Sequence, residues 1–306
     1  MLVKLRKKAE QLNELSKRSL VGAIGIPLAL IVIYFGYWYF ASVVILLSVL
    51  ALWEYYALAE RKNARPAKYF GLIMNVAMLL NFYLFFDKGY FAIVMFIQLS
   101  VLFVGSMLIQ LYMRNEQAIV NLATTVAGVL YMTFLLGPLL LLREFFLVIQ
   151  MFDTFGMSGT YLKDSVFLEN STWGFFVIII FFTIWICDSA AYFIGKAYGK
   201  NKLFARVSPK KTWEGAIAGF VFAVLSFYTF SLFFLPELPS IHAIVLGIIV
   251  GTAGQIGDLA ESQLKRDAEV KDSSDLIPGH GGVLDRFDSI MFVSPIIMIY
   301  LLLSNI

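Results

Sequence analysis

Nine apolar runs dominate the sequence, and each is long enough to cross a lipid bilayer. They fall at residues 19–36, 38–59, 68–86, 90–113, 118–142, 173–195, 213–235, 241–260 and 287–304. A bilayer core requires about 20 apolar residues per helix, and in lipid every backbone N–H and C=O must be satisfied within the segment. The mean hydropathy of +0.80 and the 15% share of charged residues agree with this pattern. We therefore predict an all-α, polytopic integral membrane protein with about nine transmembrane helices.

Lysine and arginine gather in alternate connections between these runs. They precede the first run and recur in the second-to-third, fourth-to-fifth, sixth-to-seventh and eighth-to-ninth connections. The sixth-to-seventh connection, GKAYGKNKLFARVSPKKT, carries six basic residues and no acid. The opposite connections are short and nearly uncharged, except for residues 143–172, whose only bases are Arg143 and Lys163. The positive-inside rule therefore places the N-terminus and the basic connections in the cytoplasm.

The chain divides into three regions on this pattern. We predict a basic N-terminal helix at residues 1–18, the N-terminal transmembrane helices at residues 19–172, and a C-terminal transmembrane region at residues 173–306, whose cytoplasmic face is the candidate functional site. Leucines of the first segment share one helical face, which indicates an interfacial helix on anionic lipid. A plain positive-inside retention signal explains the same charges equally well. The single cysteine, Cys187, lies in an apolar run and excludes a disulfide framework.

Five acidic residues lie at the cytoplasmic ends of the last predicted spans. They are Asp188, Asp258, Glu261, Asp285 and Asp288. Ionisable groups at membrane depth are costly and therefore point to a function. Oxygen ligands beside a polar opening suit Mg²⁺ held jointly with substrate phosphates. The alternative explanation is that these acids neutralise the basic residues between positions 265 and 286.

The stretch SPKKT at residues 208–212 predicts a second element of the site. Ser208 can cap a helix that has Pro209 at its first position. Free N–H groups would then point outward beside Lys210 and Lys211, as in phosphate sites. Positive-inside charge accounts for the lysines but leaves the Ser-Pro-Lys-Lys-Thr order unexplained.

The stretch LIPGHGGVLDRFD at residues 276–288 concentrates polar chemistry at the entry of the last span. Its glycines, among them Gly281 and Gly282, would let the backbone approach a phosphate closely. His280 and Arg286 add hydrogen-bond donors, and Asp285 adds a metal ligand. Glycines at a loop-to-helix junction can also be ordinary turn residues.

Residues 262–288, SQLKRDAEVKDSSDLIPGHGGVLDRFD, resemble the long motif of the phosphatidate cytidylyltransferases, also called CDP-diacylglycerol synthases. The matching positions are Ser262, Lys265, Arg266, Lys271, Asp272, Ser274, Pro278, His280, Gly281, Gly282, Asp285, Arg286 and Asp288. A match of this length and spacing is highly specific. Shorter stretches beginning at Asp188, Ser208 and Gly257 look like the same family, so the resemblance covers about residues 185–290.

The resemblance implies condensation of CTP with phosphatidic acid to give CDP-diacylglycerol and pyrophosphate. The catalytic residues would be Asp258, Asp285, Lys265, Arg266, Arg286 and His280. The substrate-binding residues would be Ser208, Lys210, Lys211, Thr212, Ser262, Lys271, Gly281 and Gly282. The main metal ligands would be Asp258 and Asp285, and Asp188, Glu261 and Asp288 would bind the ion directly or support its ligands. The acids outnumber what one Mg²⁺ takes from protein, so a second cation, divalent or K⁺, is a further hypothesis.

The expected partners are CTP, phosphatidic acid and the lipid bilayer, with no nucleic acid. Phe- and Gly-rich spans could support a homodimer. The size of the chain suggests a bacterial plasma (inner) membrane, with the active site facing the cytoplasm.

Two other classes of protein share some of these features. Acids near Gly-rich helices also mark ion-coupled transporters, but here the acids cluster at one face and no inverted repeat is visible. A CTP-dependent lipid kinase would release CDP instead of pyrophosphate. A CDP-alcohol phosphotransferase would need an Asp-Gly-x-x-Ala-Arg motif, which this sequence lacks.

Overall fold

The computed structural model describes residues 22–86, 89–113, 117–154, 170–277 and 281–304. Its helices are α1 (Gly22–Phe35), α2 (Tyr37–Arg61), α3 (Lys68–Phe85), α4 (Phe91–Met113), α5 (Ala118–Arg143), α6 (Phe145–Thr154), α7 (Asn170–Tyr198), α8 (Trp213–Phe234), α9 (Ser240–Asp267) and α10 (Leu284–Leu303). Two short strands, β1 (Lys202–Phe204) and β2 (Ser208–Thr212), pair antiparallel between α7 and α8. The N-terminal helix predicted at residues 1–18 lies outside the described residues.

Eight of the described helices are long and apolar enough to cross a membrane. They correspond to the second to ninth predicted spans, and the shorter apolar helix α1 occupies most of the first. The prediction of an all-α polytopic membrane protein is thereby confirmed.

Helix α5 lies at the centre of the bundle. It contacts α2, α3, α4, α7 and α10. In an apolar stretch of 18 residues, 72% of α5 is buried inside the protein, against 17% of α4. Buried polar side chains join the helices here: Ser48 donates to Asn75 Oδ1 at 2.8 Å, and Asn75 Nδ2 donates to Thr133 Oγ1 at 3.2 Å. Such interhelical hydrogen bonds stabilise packing where apolar surface alone gives little preference over lipid.

The C-terminal helices pack in chain order, α7 against α8, α8 against α9 and α9 against α10. Successive spans run in opposite directions, so the last residues of α2, α7 and α9 share one end of the bundle with the first residues of α8 and α10. An ion pair of 3.5 Å between Lys62 and Asp267 links the ends of α2 and α9 on this side. All five acids predicted for the site lie toward this end.

The prediction that Ser208 caps a helix is wrong. Ser208 begins strand β2, where it pairs with Phe204, and α8 begins five residues later. The helix cap is Thr212, whose Oγ1 accepts a hydrogen bond from the Gly215 N–H at 3.3 Å. The basic residues between α7 and α8 are therefore presented largely by a β-hairpin.

The prediction that residues 143–172 form an external connection is also wrong at its start. Arg143 is the last residue of α5 and is fully buried. Its guanidinium donates to the carbonyl oxygens of Ile33 and Tyr34, at the end of α1. The next residue, Glu144, accepts a hydrogen bond of 2.6 Å from the N–H of Tyr37. Arg143 and Glu144 together therefore join the end of α5 to α1 and α2, at the end of the bundle opposite the acids. Lys163 lies outside the described residues.

Candidate active site

A buried lysine joins two acids from different helices. Lys265 Nζ lies 2.6 Å from Glu261 Oε2, one turn earlier on α9, and 2.5 Å from Asp285 Oδ1 on α10. Glu261 is fully buried, and the side chains of Lys265 and Asp285 are 10% and 5% exposed. Among the described residues, Lys265 is the one cation paired with Glu261, and neither Glu261 oxygen accepts a hydrogen bond of good geometry. A buried, incompletely satisfied acid is costly, and this cost suggests a functional role.

The second oxygen of Asp285 organises the loop that leads into α10. Asp285 Oδ2 accepts hydrogen bonds from the Ser273 N–H at 2.9 Å, the Ser273 hydroxyl at 3.0 Å and the Gly282 N–H at 2.8 Å. Gly281, with φ +81°, turns the backbone into this arrangement. The Gly282 N–H is therefore directed at Asp285 in this structure.

Glu54 of α2 is a residue that the sequence analysis missed. It is 2% exposed. Its carboxylate accepts hydrogen bonds from both ends of the connection between α9 and α10, residues 268–283, which we call the motif loop. Its donors are Ser273 Oγ at 2.8 Å, Ser274 Oγ at 2.6 Å, Val283 N at 2.9 Å and Leu284 N at 2.8 Å. A Cβ atom at Gly282 would overlap Ser273 Oγ and the Glu54 carboxylate, so close packing also requires glycine here. The available signal was a lone acid inside an apolar run, WEYYALA, at membrane depth.

A second group of charged side chains, more exposed than the first, lies beside this cluster. Lys211 Nζ, on β2, forms an ion pair of 2.6 Å with Asp258 Oδ2, and the two side chains are 28% and 33% exposed. Ser262 donates to Asp258 Oδ1 at 3.3 Å. Asp188 on α7 is exposed and Asp288 on α10 is buried, and both lie close enough to Asp258 for their charges to interact. Three helices and the hairpin therefore contribute to one group of charged side chains.

Helices α9 and α10 approach most closely beside these acids because of Gly257. A Cβ at this position would lie 2.6 Å from the Asp288 carbonyl oxygen. The small residue lets the backbones meet, which places Asp258 beside the first turn of α10. The glycine here is explained by packing, so it lends no support to an ion path through α9.

The residues fit a magnesium ion through the chemistry of their donors, without forming a complete cage. Among the described residues, no three His, Cys, Asp or Glu side chains are grouped so that they alone could hold a metal. Five carboxylates nevertheless lie near Lys211 and Lys265, so among these seven side chains negative charge is in excess. Mg²⁺ typically takes one or two protein carboxylates and completes its shell with water and substrate phosphates. The carboxylate excess fits that mode of binding.

The other residues predicted for the site have varied surroundings. Arg266 donates to two backbone carbonyls, Val207 at 3.2 Å and Val270 at 2.6 Å, and so ties the hairpin to the end of α9. Lys210, Lys271 and Arg286 are exposed, Ser208 is half-buried, and Thr212 is buried as the cap of α8. His280 lies outside the described residues.

Comparison with known proteins gives matches along nearly the whole chain. The cytidylyltransferase family profile matches residues 16–304. The phosphatidate cytidylyltransferase of Bacillus subtilis is 30% identical over 300 residues, covering 95% of this chain and 98% of that protein. That of Synechocystis is 31% identical over 290 residues, covering 94% and 97%. That of Haemophilus influenzae is 46% identical over 125 residues, covering 40% of this chain and 43% of that protein. The resemblance drawn from residues 262–288 is confirmed and extends to the N-terminal helices.

Proposed function

Because the chain belongs to the cytidylyltransferase family, we propose that it transfers CMP from CTP to phosphatidic acid, giving CDP-diacylglycerol and pyrophosphate. The observation that carries the proposal is the convergence of two lysine–carboxylate clusters at one end of the bundle, within a chain matched from residue 16 to residue 304. A site at this depth can receive a lipid from the bilayer and a nucleotide from water.

The proposed reaction needs alignment and charge neutralisation more than proton transfer. An ionised phosphate oxygen of phosphatidic acid attacks the α-phosphorus of CTP, the bond to the bridging α–β oxygen breaks, and pyrophosphate leaves with the electron pair. The nucleophile is already ionised near neutral pH, so no general base is required. Lys211 and Lys265 are placed to neutralise phosphate charge, and preorganised charges of this kind are a large source of catalysis.

Mg²⁺ is the cofactor that we propose, and it would supply further positive charge at the phosphate oxygens. We propose Asp258, Asp188 and Asp288 as the ligands, because the nearly buried Asp285 has both oxygens occupied by Lys265, Ser273 and Gly282, whereas the Asp258 side chain is 33% exposed. Asp285 and Glu261 would then set the position of Lys265. A second cation, divalent or K⁺, remains a prediction, which a rate titration with K⁺ at saturating Mg²⁺ tests.

The decisive assay uses the purified full chain with CTP, phosphatidic acid and Mg²⁺. We expect CDP-lipid and pyrophosphate in equal amounts, and loss of turnover when the metal is chelated. Asp258→Asn should lower kcat by about 10²- to 10³-fold, because it removes a charge that binds cation and orients Lys211. Asp267→Asn, an exposed acid nine residues further along α9, is the matched control and should retain full activity. Release of CDP would instead indicate a lipid kinase, and the absence of any turnover would refute the proposal.

We further propose that the protein lies in the inner membrane of a bacterial cell and that its site faces the cytoplasm. The support is the clustering of basic residues at the same end of the bundle as the acids. CTP does not cross membranes, so added CTP should be used by inverted vesicles and not by sealed right-side-out vesicles. The opposite pattern would reverse the orientation. A homodimer remains a prediction, and its test is the mass of the detergent-solubilised protein.

A further inference from the structure

Glu54 lies in the N-terminal half of the chain, yet its contacts are with the motif loop more than 200 residues later. The separation from its four donors is 219, 220, 229 and 230 residues. Each carboxylate oxygen accepts one hydrogen bond from a hydroxyl and one from a backbone N–H. These four bonds fix the orientation of the carboxylate and stabilise its charge. Among the described residues no cation is paired with it. Glu54 is therefore held by the loop, and the loop by Glu54.

Ser273 connects Glu54 to the charged cluster. Its hydroxyl lies 2.8 Å from Glu54 Oε2 and 3.0 Å from Asp285 Oδ2. The two carboxylates share the single hydroxyl proton, and the Ser273 N–H also donates to Asp285 Oδ2, at 2.9 Å. Asp285 in turn holds Lys265, and Lys265 holds Glu261. A continuous line of polar contacts thus runs from α2 to the fully buried acid of the candidate site.

We propose that Glu54 is a positioning residue for the reaction: through Ser273 it fixes Asp285, and through Asp285 it fixes Lys265. This inference rests on the proposed function. Glu54 does not itself touch the substrates. Its role is to keep the Asp285 carboxylate and the Lys265 ammonium group in the alignment that a phosphoryl transfer requires, since small misplacements of such groups cost large factors in rate.

The competing explanation is that Glu54 only caps α10 through the N–H groups of Val283 and Leu284. The two adjacent serines separate these roles. Ser273 contacts both Glu54 and Asp285, whereas the hydroxyl of Ser274 contacts Glu54 and the Leu276 N–H and not Asp285. A capping role predicts similar effects of removing either hydroxyl, and a positioning role predicts an effect on turnover mainly at Ser273.

The experiment compares Glu54→Gln, Ser273→Ala and Ser274→Ala in the full chain, with kcat and KM for CTP normalised to the folded fraction. Glutamine keeps the shape but directs an NH₂ group at donors. We expect Glu54→Gln to lower kcat by about 10- to 100-fold with KM nearly unchanged, because charge-assisted hydrogen bonds are lost. Ser273→Ala should lower kcat similarly, and Ser274→Ala should have little effect. Glu60→Gln, six residues further along α2 at an exposed ion pair with Lys68, is the control and should match the wild type.

A double-variant cycle completes the test. Glu54→Gln should have a smaller effect on kcat in the Ser273→Ala background than in the wild type, because the line of contacts is already broken. Fully additive losses, equal effects of the two serine variants, or a Glu54→Gln protein that loses only folded yield would overturn the inference. Hydrogen exchange at residues 281–288 gives a readout independent of activity, and Glu54→Gln should accelerate it. An inactive wild-type protein would instead contradict the proposed function itself.

Discussion

Glu54 and Glu144 are both buried acids that accept hydrogen bonds from the first N–H groups of a distant helix, but at opposite ends of the bundle. Glu144 accepts from Tyr37 at the start of α2, beside Arg143. Glu54 accepts from Val283 and Leu284 at the start of α10, and the nearest cluster there is built around Lys265.

The buried cation near each acid has a different kind of partner. Arg143 donates to backbone carbonyls of α1, which a substrate cannot displace without unfolding the junction, and its ion pair with Glu144 is longer, at 3.9 Å. Lys265 is paired with the carboxylates of Glu261 and Asp285. A phosphate can compete with these carboxylates for Lys265, and a metal ion can compete with Lys265 for the carboxylates. The comparison teaches that burial alone does not identify a functional charge. The partner does.

Lys265→Met should show the largest effect on activity. It leaves the buried carboxylates of Glu261 and Asp285 without their cation and removes positive charge from the site, so we expect kcat to fall by about 10³-fold or more. The measurement is initial-rate kinetics on folded protein. Lys62→Met, an exposed lysine paired with Asp267, is the control. A Lys265→Met protein with one-tenth of wild-type activity would break the distinction between the two ends.

Arg143→Met should reduce stability and leave chemistry intact. Removal of one partner from a buried charged network typically costs about 3–5 kcal/mol in the free energy of unfolding. We expect a lower thermal midpoint in detergent, with kcat per folded molecule within about twofold of the wild type. Arg143 lies at the end of the 26-residue helix α5 that is opposite the acids, and an α-helix rises about 1.5 Å per residue. Arg61→Met, at the exposed end of α2, should change neither quantity. A 100-fold loss of kcat in folded Arg143→Met would show that the two ends are coupled.

Glu144→Gln should give the smallest effect, visible as a change in pH dependence. Burial raises the pKa of Glu144 above its ordinary value of 4.5, while the Tyr37 N–H and Arg143 oppose that shift. The folded protein therefore binds this proton more tightly than the unfolded chain, and the contribution of Glu144 to stability declines as pH rises from 4.5 through the raised pKa. Glutamine does not titrate and can still accept from Tyr37. The variant should lack this decline, measured as the thermal midpoint against pH, and an unchanged profile would contradict the assignment.

Much of the membrane architecture could be predicted because apolar length is a local property. Eight spans follow directly from it. The β-hairpin could not be predicted in the same way, since Ser208 and Pro209 satisfy the local rule for a helix start. What decides the outcome is the pairing of Phe204 with Ser208 and of Lys202 with Thr212, which no local pattern encodes.

The site was predicted in its acids and lysines, and it was missed in the residues that hold them. The motif between positions 262 and 288 is contiguous, so spacing alone reveals it. Glu54 acquires its meaning only from donors more than 200 positions away. Arg143 was misplaced for a related reason. A base at the end of an apolar run fits the rule for connections, and the hydrogen bonds to the carbonyls of α1 that help to make its burial tolerable are not visible in the sequence.

The reach of Glu54 into the last helix has a consequence for any attempt to transplant this chemistry. A shortened protein that kept the complete C-terminal motif but lacked α2 would leave the amides of Val283 and Leu284 without the carboxylate that accepts from them. A host protein would need an acidic side chain at the equivalent position in its own helix bundle before the grafted motif could adopt the conformation described here.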